Sequence, residues 1–537
     1  MSWLDRAIVY EIYPQSFSDS DGDGIGDFRG ATARLDYLQW LGIDTIWLNP
    51  CFESPFVDAG YDVSDYFKVA ERYGGNDALI EFMAEARSRG IRVLLDLVVG
   101  HTSDQHAMFQ AELRSTELDP AEARYIWAVN PPAAVEQVGI PGQTPWVRAS
   151  GPRGGHYLKN FFEQQPALNF GYARLDAAEP WRQPVSAPGP QANRQLLRDI
   201  ISFWVERGAA GFRVDMAFSL VKDDPGLVET LALWRELRDW LDEKYPETVL
   251  IPEGTEPLTA SEPSFHADFF LVIGDEHRSL FANGGAGRLP WDPQAGPCFF
   301  DSAAVGSTSV FLEGWERVRS QRPGRTILLA TADHDYARLA TGRREGRQLH
   351  AAMMMVFTWA SVPSLYYGDE IGMRFVDGLP DKEGSVCAPG FYNRAGVRTP
   401  MQWDSSANAG FSTAAAADLL YLPVDPDPDR PDVAAQLADP GSLLHFTRSL
   451  ISLRKTTPAL NDGADPVVLH SGYPFVFLRG ERHLVVINPA GEPRGCDLPE
   501  LLGEDADWGL MLGEGVEVVG GRVECEAFGH AVLERSS

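Results

Sequence analysis

Cysteine, histidine and cationic residues are all scarce in this chain of 537 residues, and each shortage excludes something. The five cysteines (Cys51, Cys298, Cys387, Cys496 and Cys525) are odd in number and scattered, with no CxxC pair and no zinc spacing, so neither a disulfide framework nor a cysteine-based zinc site is expected. A reducing compartment suits them. Only 46 Lys and Arg stand against 76 Asp and Glu, a formal net charge of -30. Such a surface repels phosphate backbones and anionic lipid, which argues against nucleic-acid and membrane partners; solubility is the plain reading of the charge. No apolar run is long enough to span a bilayer. The opening MSWLDRAIVYEIYP has no basic stretch followed by an apolar one and a small-residue cleavage site. No secretory leader is expected, and the cytoplasm is the expected location.

What is present is a large apolar content, 44%, enough for more than one domain. Strand-like runs alternate with amphipathic helical ones: AIVYEIY, TIWLNP, RVLLDLVV, GFRVD, TVLIPE, DFFLVI, TILLAT and PSLYYG, with helices predicted near Thr32 to Leu41 and Asp77 to Arg89. Such alternation predicts an α/β fold, a (β/α)8 barrel whose active site lies at the C-terminal strand ends. Between His101 and about Leu168 the alternation stops in a stretch rich in Pro, Gly and aromatics, too long for a loop and read as an inserted domain. After a helix at Ser442 to Lys455, short strands split by Gly, Pro and Asp predict a separate antiparallel β domain. The predicted partition is barrel 1–101 and 169–460, insert 102–168 and C-terminal domain 461–537.

Four segments carry the chemistry: DLVVGHTS (Asp96 to Ser103), GFRVDMAF (Gly211 to Phe218), LIPEGTEP (Leu250 to Pro257) and TADHDYAR (Thr331 to Arg338). Each sets polar residues at or just after the end of an apolar, β-branched run, as buried parallel strands do when they deliver charge to one pocket. Asp215, Glu253 and Asp335 sit at three such ends. Arg213 shares a strand face with Asp215, so it is expected to lower that carboxyl's pKa and keep it ionised as a nucleophile; alone, the two read equally as a structural ion pair. Glu253 closes an apolar strand, where a raised pKa suits a general acid. Two carboxyls in contrasting settings are the arrangement of glycoside hydrolysis. Neutral imidazoles at His101 and His334 could donate hydrogen bonds to sugar hydroxyls, although a lone His at such a place is usually just a satisfied polar residue.

With YEIYPQSFSDSDGDGIGD, GYDVSDY, QPALN, LYYGDEIGM and RTPMQW, these segments resemble, nearly end to end, the α-amylase superfamily of glycoside hydrolases (family 13). The resemblance implies an (α/β)8 barrel, a domain B after the third strand and a C-terminal β-sandwich domain. It implies Asp215 as nucleophile, Glu253 as general acid/base and Asp335 as the third carboxylate, gripping sugar hydroxyls. Arg213, His334, His101 and Tyr61 line the same subsite by resemblance, and Asp96 orients its neighbours. Asp62 and Arg338 resemble a pair that closes the pocket behind one glucose unit in exo-acting members. With GDGIGD and RTPMQW, that pair points to the oligo-1,6-glucosidase, α-glucosidase and trehalose synthase branch.

The acidic loop of Asp19, Asp21, Asp23, Gly24 and Asp27 has the oxygen-ligand spacing of a calcium loop, against the simpler reading of a solvated Asp/Gly turn. Gly30 at the twelfth position argues against an EF-hand. The resemblance implies structural calcium bound through Asp19, Asp21, Asp23, the Ile25 carbonyl and Asp27. Some positions depart from the branch: Met216 follows the nucleophile, Asp333 stands where Asn is usual, and Gly254-Thr255 follow the acid. Three readings result. The first is a retaining exo-acting α-glucosidase cleaving short α-glucosides. The second is a trehalose synthase or α-glucosyltransferase using the same intermediate. The third is a non-catalytic scaffold like the transporter heavy chains of this fold.

Overall fold

Residues two apart on a strand share a face, so an apolar residue deep in a barrel is followed toward the strand's C-terminal end by one facing the mouth. The computed structural model of the chain is built on this rule. It describes residues 2–536 apart from 118, 132–142, 255–263, 271, 273, 283–296, 337, 342–343, 345, 388–389, 391 and 500–506. Thr255, and Leu271 and Ile273 of the sixth predicted strand, therefore lie outside the described residues.

Eight parallel strands make the barrel: β1 (Val9–Ile12), β2 (Thr45–Leu48), β3 (Arg92–Val98), β4 (Gly211–Asp215), β5 (Val249–Pro252), β6 (Asp268–Phe270), β7 (Ile327–Ala330) and β8 (Val362–Tyr366). Their order is β5-β4-β3-β2-β1-β8-β7-β6. At the remaining joint, between β5 and β6, the His266 N–H donates to the Leu250 carbonyl at 2.9 Å. The Leu250 N–H donates to His266 Nδ1 at 3.0 Å. The interior is filled by Val9, Trp47, Leu94, Ile251, Phe269, Leu328 and Val362. Two residues further along their strands come Glu11, Asn49, Asp96 and Glu253. Packing thus hands over to chemistry within one side-chain layer. Parallel register sets Asp96 opposite Arg213 and Val98 opposite Asp215.

The predicted helix at Thr32 to Leu41 forms as two pieces, Phe28–Thr32 and Leu35–Leu41. The helix Gly75–Ser88 starts two residues early. The inserted segment carries a small antiparallel sheet of Trp127–Ala128, His156–Leu158 and Trp146–Arg148 in that spatial order. It returns beside the third strand, where Ala167 bridges His101 and the Leu168 N–H donates to the Gly100 carbonyl at 3.1 Å. After the helix Leu443–Thr456, which Ser442 caps, come β9 (Val467–His470), β10 (Phe475–Arg479), β11 (His483–Ile487), β12 (Arg494–Asp497), β13 (Trp508–Val519) and β14 (Arg522–Arg535). These six pair antiparallel in one connected sheet, with bulges in the long β13–β14 hairpin. Among the described residues no helix is long and apolar enough to cross a membrane.

Candidate active site

A cavity of about 90 Å³ at the C-terminal mouth of the barrel is lined by Asp58, Tyr61, His101, Phe161, Asp215, Met216, Glu253, Asp335 and Arg394. The three carboxyls predicted from separate strand ends therefore meet. Larger cavities among the described residues lie away from them. The volume is small against the ~300 Å³ or more of a typical small-molecule pocket, so it suits one end of a short substrate.

Arg213 is the electrostatic hub. Its guanidinium reaches Asp96 at 2.9 Å, Asp215 at 3.0 Å and Glu253 at 3.2 Å. This division corrects one expectation. Arg213 does not by itself hold Asp215 low: burial first, and the charge of Glu253 second, push the Asp215 carboxyl above its usual range, with Arg213 pulling against them. Asp96 is pushed up to about 6 by burial, with Arg213 opposing. Glu253 is oriented by the Met216 N–H, which donates to Oε2 at 2.7 Å. Met216 holds a left-handed backbone (φ 44°), a costly conformation for a side chain of that size, and it is this turn that aims its N–H at the acid.

Asp335 is treated differently. Burial opposes its ionisation, but His334, Arg394 and Arg398 outweigh burial and hold it well below the carboxylate range. Arg394 and Arg398 each donate to its Oδ1 at 2.9 Å. Neither arginine is among the residues predicted from sequence, although Arg398 opens the quoted RTPMQW.

The expected Asp62–Arg338 pair does not form. Asp62 is fully buried and accepts from Ser54 Oγ (2.9 Å) and from the Val57 and Asp58 N–H groups (2.8 and 3.0 Å), so it shapes the loop before it. Arg338 is also buried, donating to the Tyr367 and Val397 carbonyls and to Asp369 at 3.2 Å. The pair across the cavity is Asp58 and Arg394, 3.1 Å apart. Gln165, first residue of QPALN, donates to the other Asp58 oxygen at 2.9 Å and locks it from the inserted segment.

Tyr61 stacks on His334 (centroids 5.5 Å, planes 14° apart), and its hydroxyl lies 2.7 Å from His334 Nε2 and 3.1 Å from Asp96. His101 is pushed down to about 4 and His334 to about 3, in both cases by burial first, so both are neutral. His101 Nε2 lies 3.0 Å from the Tyr61 carbonyl and Nδ1 3.1 Å from Asn160 Nδ2. Both its nitrogens are engaged by protein, so it positions Tyr61 and is a satisfied polar residue, not a sugar donor.

Glu11 is a further residue that sequence reasoning passed over. It is fully buried, its Oε1 lies 2.8 Å from His334 Nδ1 and accepts from Asn49 at 3.0 Å, and its Oε2 has no hydrogen-bond partner. Burial first, then the charge of Asp333, push its carboxyl well above the usual range. A protonated Glu11 donating to Nδ1 satisfies the whole chain. His334 Nε2–H then points toward Tyr61 and Asp335, and Tyr61 donates to Asp96. Glu11→Gln, which also offers a donor, is expected to keep activity within about tenfold. Glu11→Leu is expected to lose on the order of 10²-fold in kcat by misplacing His334, as steady-state kinetics on both variants would show.

Asp333 accepts the Asp335 and Tyr336 N–H groups at 2.9 Å, and is pushed up to about 8 by burial first and Asp335 second. Its folded pKa lies above its unfolded value. The fold is therefore favoured while the group stays protonated, and that benefit fades as pH rises toward 8. The neutral near-isostere carries no such penalty. The gain in melting temperature from Asp333→Asn is expected to grow from pH 5 to pH 8 and level off above it. A gain independent of pH would contradict this.

Three carboxyls around one arginine at a parallel barrel's mouth agree with what similarity shows. The profile of the alpha-amylase catalytic domain matches residues 11–261 and 310–463. The chain belongs to the alpha-amylase family. Its relatives include a trehalose synthase of Pimelobacter sp. (strain R48), 32% identical over 514 residues, 87% of this chain and 83% of that protein. A glucan 1,6-alpha-glucosidase of Streptococcus dysgalactiae subsp. equisimilis is 30% identical over 525 residues, 90% of this chain and 91% of that protein. An alpha-amylase-family fold is shared with the crystal structure of a Bacillus licheniformis trehalose-6-phosphate hydrolase, 24% identical with a TM-score of 0.82 over all of both chains. Membership of the alpha-amylase family fixes the reaction class: the protein is an enzyme that hydrolyses or transfers glycosyl groups.

Proposed function

We propose that the protein is a retaining, exo-acting α-glucosidase of short α-glucosides, with transfer to a second sugar as its variant outcome. The observation that carries this reading is the Asp58–Arg394 ion pair in the wall of a cavity of only about 90 Å³, which favours a single terminal sugar ring over a long chain. Asp335, held ionised by two guanidinium groups, grips hydroxyls of that ring. Asp215 attacks the anomeric carbon while the bond to the leaving oxygen breaks, and Glu253 gives that oxygen its proton. This yields a glucosyl ester on Asp215 and a neutral leaving alcohol. Glu253 then takes a proton from the incoming hydroxyl, which attacks the same carbon and releases Asp215 with net retention.

Whether water or a sugar hydroxyl arrives second depends on what Phe161 and Met216, both lining the cavity, let in. The trehalose synthase among the relatives keeps transfer open as the second reading. One experiment separates them: incubation with maltose, isomaltose, sucrose, trehalose and an aryl α-glucoside, with products identified over time. Free α-glucose from each cleaved substrate supports hydrolysis, and conversion of maltose to trehalose supports the second reading. Internal cleavage of starch would overturn both.

A structural calcium ion fits the acidic loop. Asp19, Asp21 and Asp27 bring oxygens within 4.8 Å of one another, an all-oxygen donor set suited to a hard cation. Asp23 stands outside that group and accepts the Ile25 N–H at 2.7 Å, so it and the Ile25 carbonyl enter the proposed shell by the family resemblance alone. Chelation is expected to lower the melting temperature by several degrees with little loss of initial rate, measured by a thermal scan and an assay on one sample. The five free cysteines support a reducing cytoplasm as the proposed location.

A further inference from the structure

Outside the lining of the pocket, the helix Arg347–Thr358 packs against the C-terminal sheet. His350 on that helix, Glu514 on β13 and His530 on β14 each present one ligand atom, all within 4.8 Å of one another. Glu514 and His530 are direct partners in the antiparallel ladder, so their side chains leave the same face of the sheet. Phe446 holds both imidazoles, stacked on His350 at 4.3 Å and edge-on to His530 at 5.1 Å.

His530 is the decisive member. It is fully buried, and its Nδ1 donates to the Phe528 carbonyl at 2.9 Å. That bond fixes the Nδ1–H tautomer and turns Nε2 into a lone pair. Nε2 is buried and has no hydrogen-bond partner. Burial pushes His530 down to about 4 and, with His530 as the next cause, His350 to the same value, so both rings stay neutral. A neutral imidazole oriented by an Nδ1–H···O=C bond, its other nitrogen bare, is how proteins prepare a metal ligand.

We propose that His350, Glu514 and His530 bind one divalent transition-metal ion of the zinc class, joining the barrel to the C-terminal domain. Two imidazole nitrogens and one carboxylate suit such a borderline cation and not calcium, which takes six to eight oxygens. Bonds of about 2.0–2.2 Å require the ligand atoms to draw in to roughly 3.3–3.6 Å of one another. Exposed Glu514 and half-buried His350 supply that movement while His530 stays fixed. Arg347, which holds Glu514 at 2.9 Å, also holds Glu526 at 3.2 Å and keeps that partner when Glu514 turns to the ion. Water takes the fourth position. Such an ion ties one barrel helix to two strands of the C-terminal sheet and stabilises the folded chain by mass action.

The test uses the full chain, stripped with chelator and then held in excess calcium so that the acidic loop near the N-terminus is filled. Cobalt(II) is titrated in and followed by its visible absorption. One equivalent is expected to give the spectrum of a four-coordinate, nitrogen-containing site, displaced by zinc, and zinc is expected to raise the melting temperature. His350→Gln and Glu514→Gln, both outside the fully buried core, are expected to weaken binding by roughly 10- to 100-fold while leaving glycosidase activity unchanged. Absence of a one-equivalent cobalt spectrum would overturn the proposal. So would a spectrum that both variants leave intact, because the ion would then sit elsewhere.

Discussion

Asp215→Asn is expected to lower turnover of an aryl α-glucoside roughly 10⁴- to 10⁶-fold, the scale seen when a covalent nucleophile is removed. The melting temperature is expected to hold or rise. The amide oxygen can still accept from Arg213, now 3.0 Å from Oδ1, and one charge leaves a buried site where burial and Glu253 both disfavour it. Kinetics and a thermal scan on the same preparation decide the matter. Loss of activity together with loss of fold would make Asp215 a structural member of the Arg213 cluster. Retention of more than a few per cent of turnover would end its assignment as nucleophile.

Asp58→Ala is expected to cut kcat/KM for disaccharides on the order of 10²-fold, the worth of a charge-assisted hydrogen bond to a substrate with few other contacts. Longer malto-oligosaccharides, anchored by more sugar units, should lose less. Removing Asp58 leaves Arg394 with Asp335 as its remaining carboxylate partner, and removing Arg394 leaves Asp58 with Gln165 and also frees one side of Asp335. The double variant is therefore expected to fall well short of the sum of the two single losses. Equal losses on maltose and on a heptasaccharide would show that the pair only holds loops together and does not measure substrate length.

What could be read from the residues divides along physical lines. Strands of the barrel are buried on both faces, so their β-branched runs stand out, and Asp96, Arg213, Asp215 and Glu253 are legible because each interrupts or ends such a run. Glu11 carries the same signal, a lone carboxyl inside AIVYEIY, and was available to that reasoning. Asp58 and Arg394 were not. Asp58 sits in a turn and Arg394 opens a short 3-10 helix 336 residues away, and no periodicity relates the two. The neighbouring Asp62 and Arg338 fell inside conspicuous segments instead, and the fold spends both on shaping those segments from within. His101 shows the remaining limit: a polar residue at a strand end can face the cavity and still have both nitrogens engaged by protein.

The joint between β5 and β6 gives the barrel an uneven resistance to opening. Seven joints are strand ladders, which part only when several backbone hydrogen bonds break together. At the eighth, one imidazole ring stands in for a length of ladder, so rotating a single side chain releases the Leu250 amide. Burial pushes His266 down to about 4 before any other cause, and a ring protonated below that pH can no longer accept at Nδ1. Glu253 lies three residues beyond Leu250, immediately after the end of the same strand. Local breathing of the cylinder is therefore expected to centre on the strand that leads to the proposed proton donor, while Asp215 stays in register with Val98 of β3.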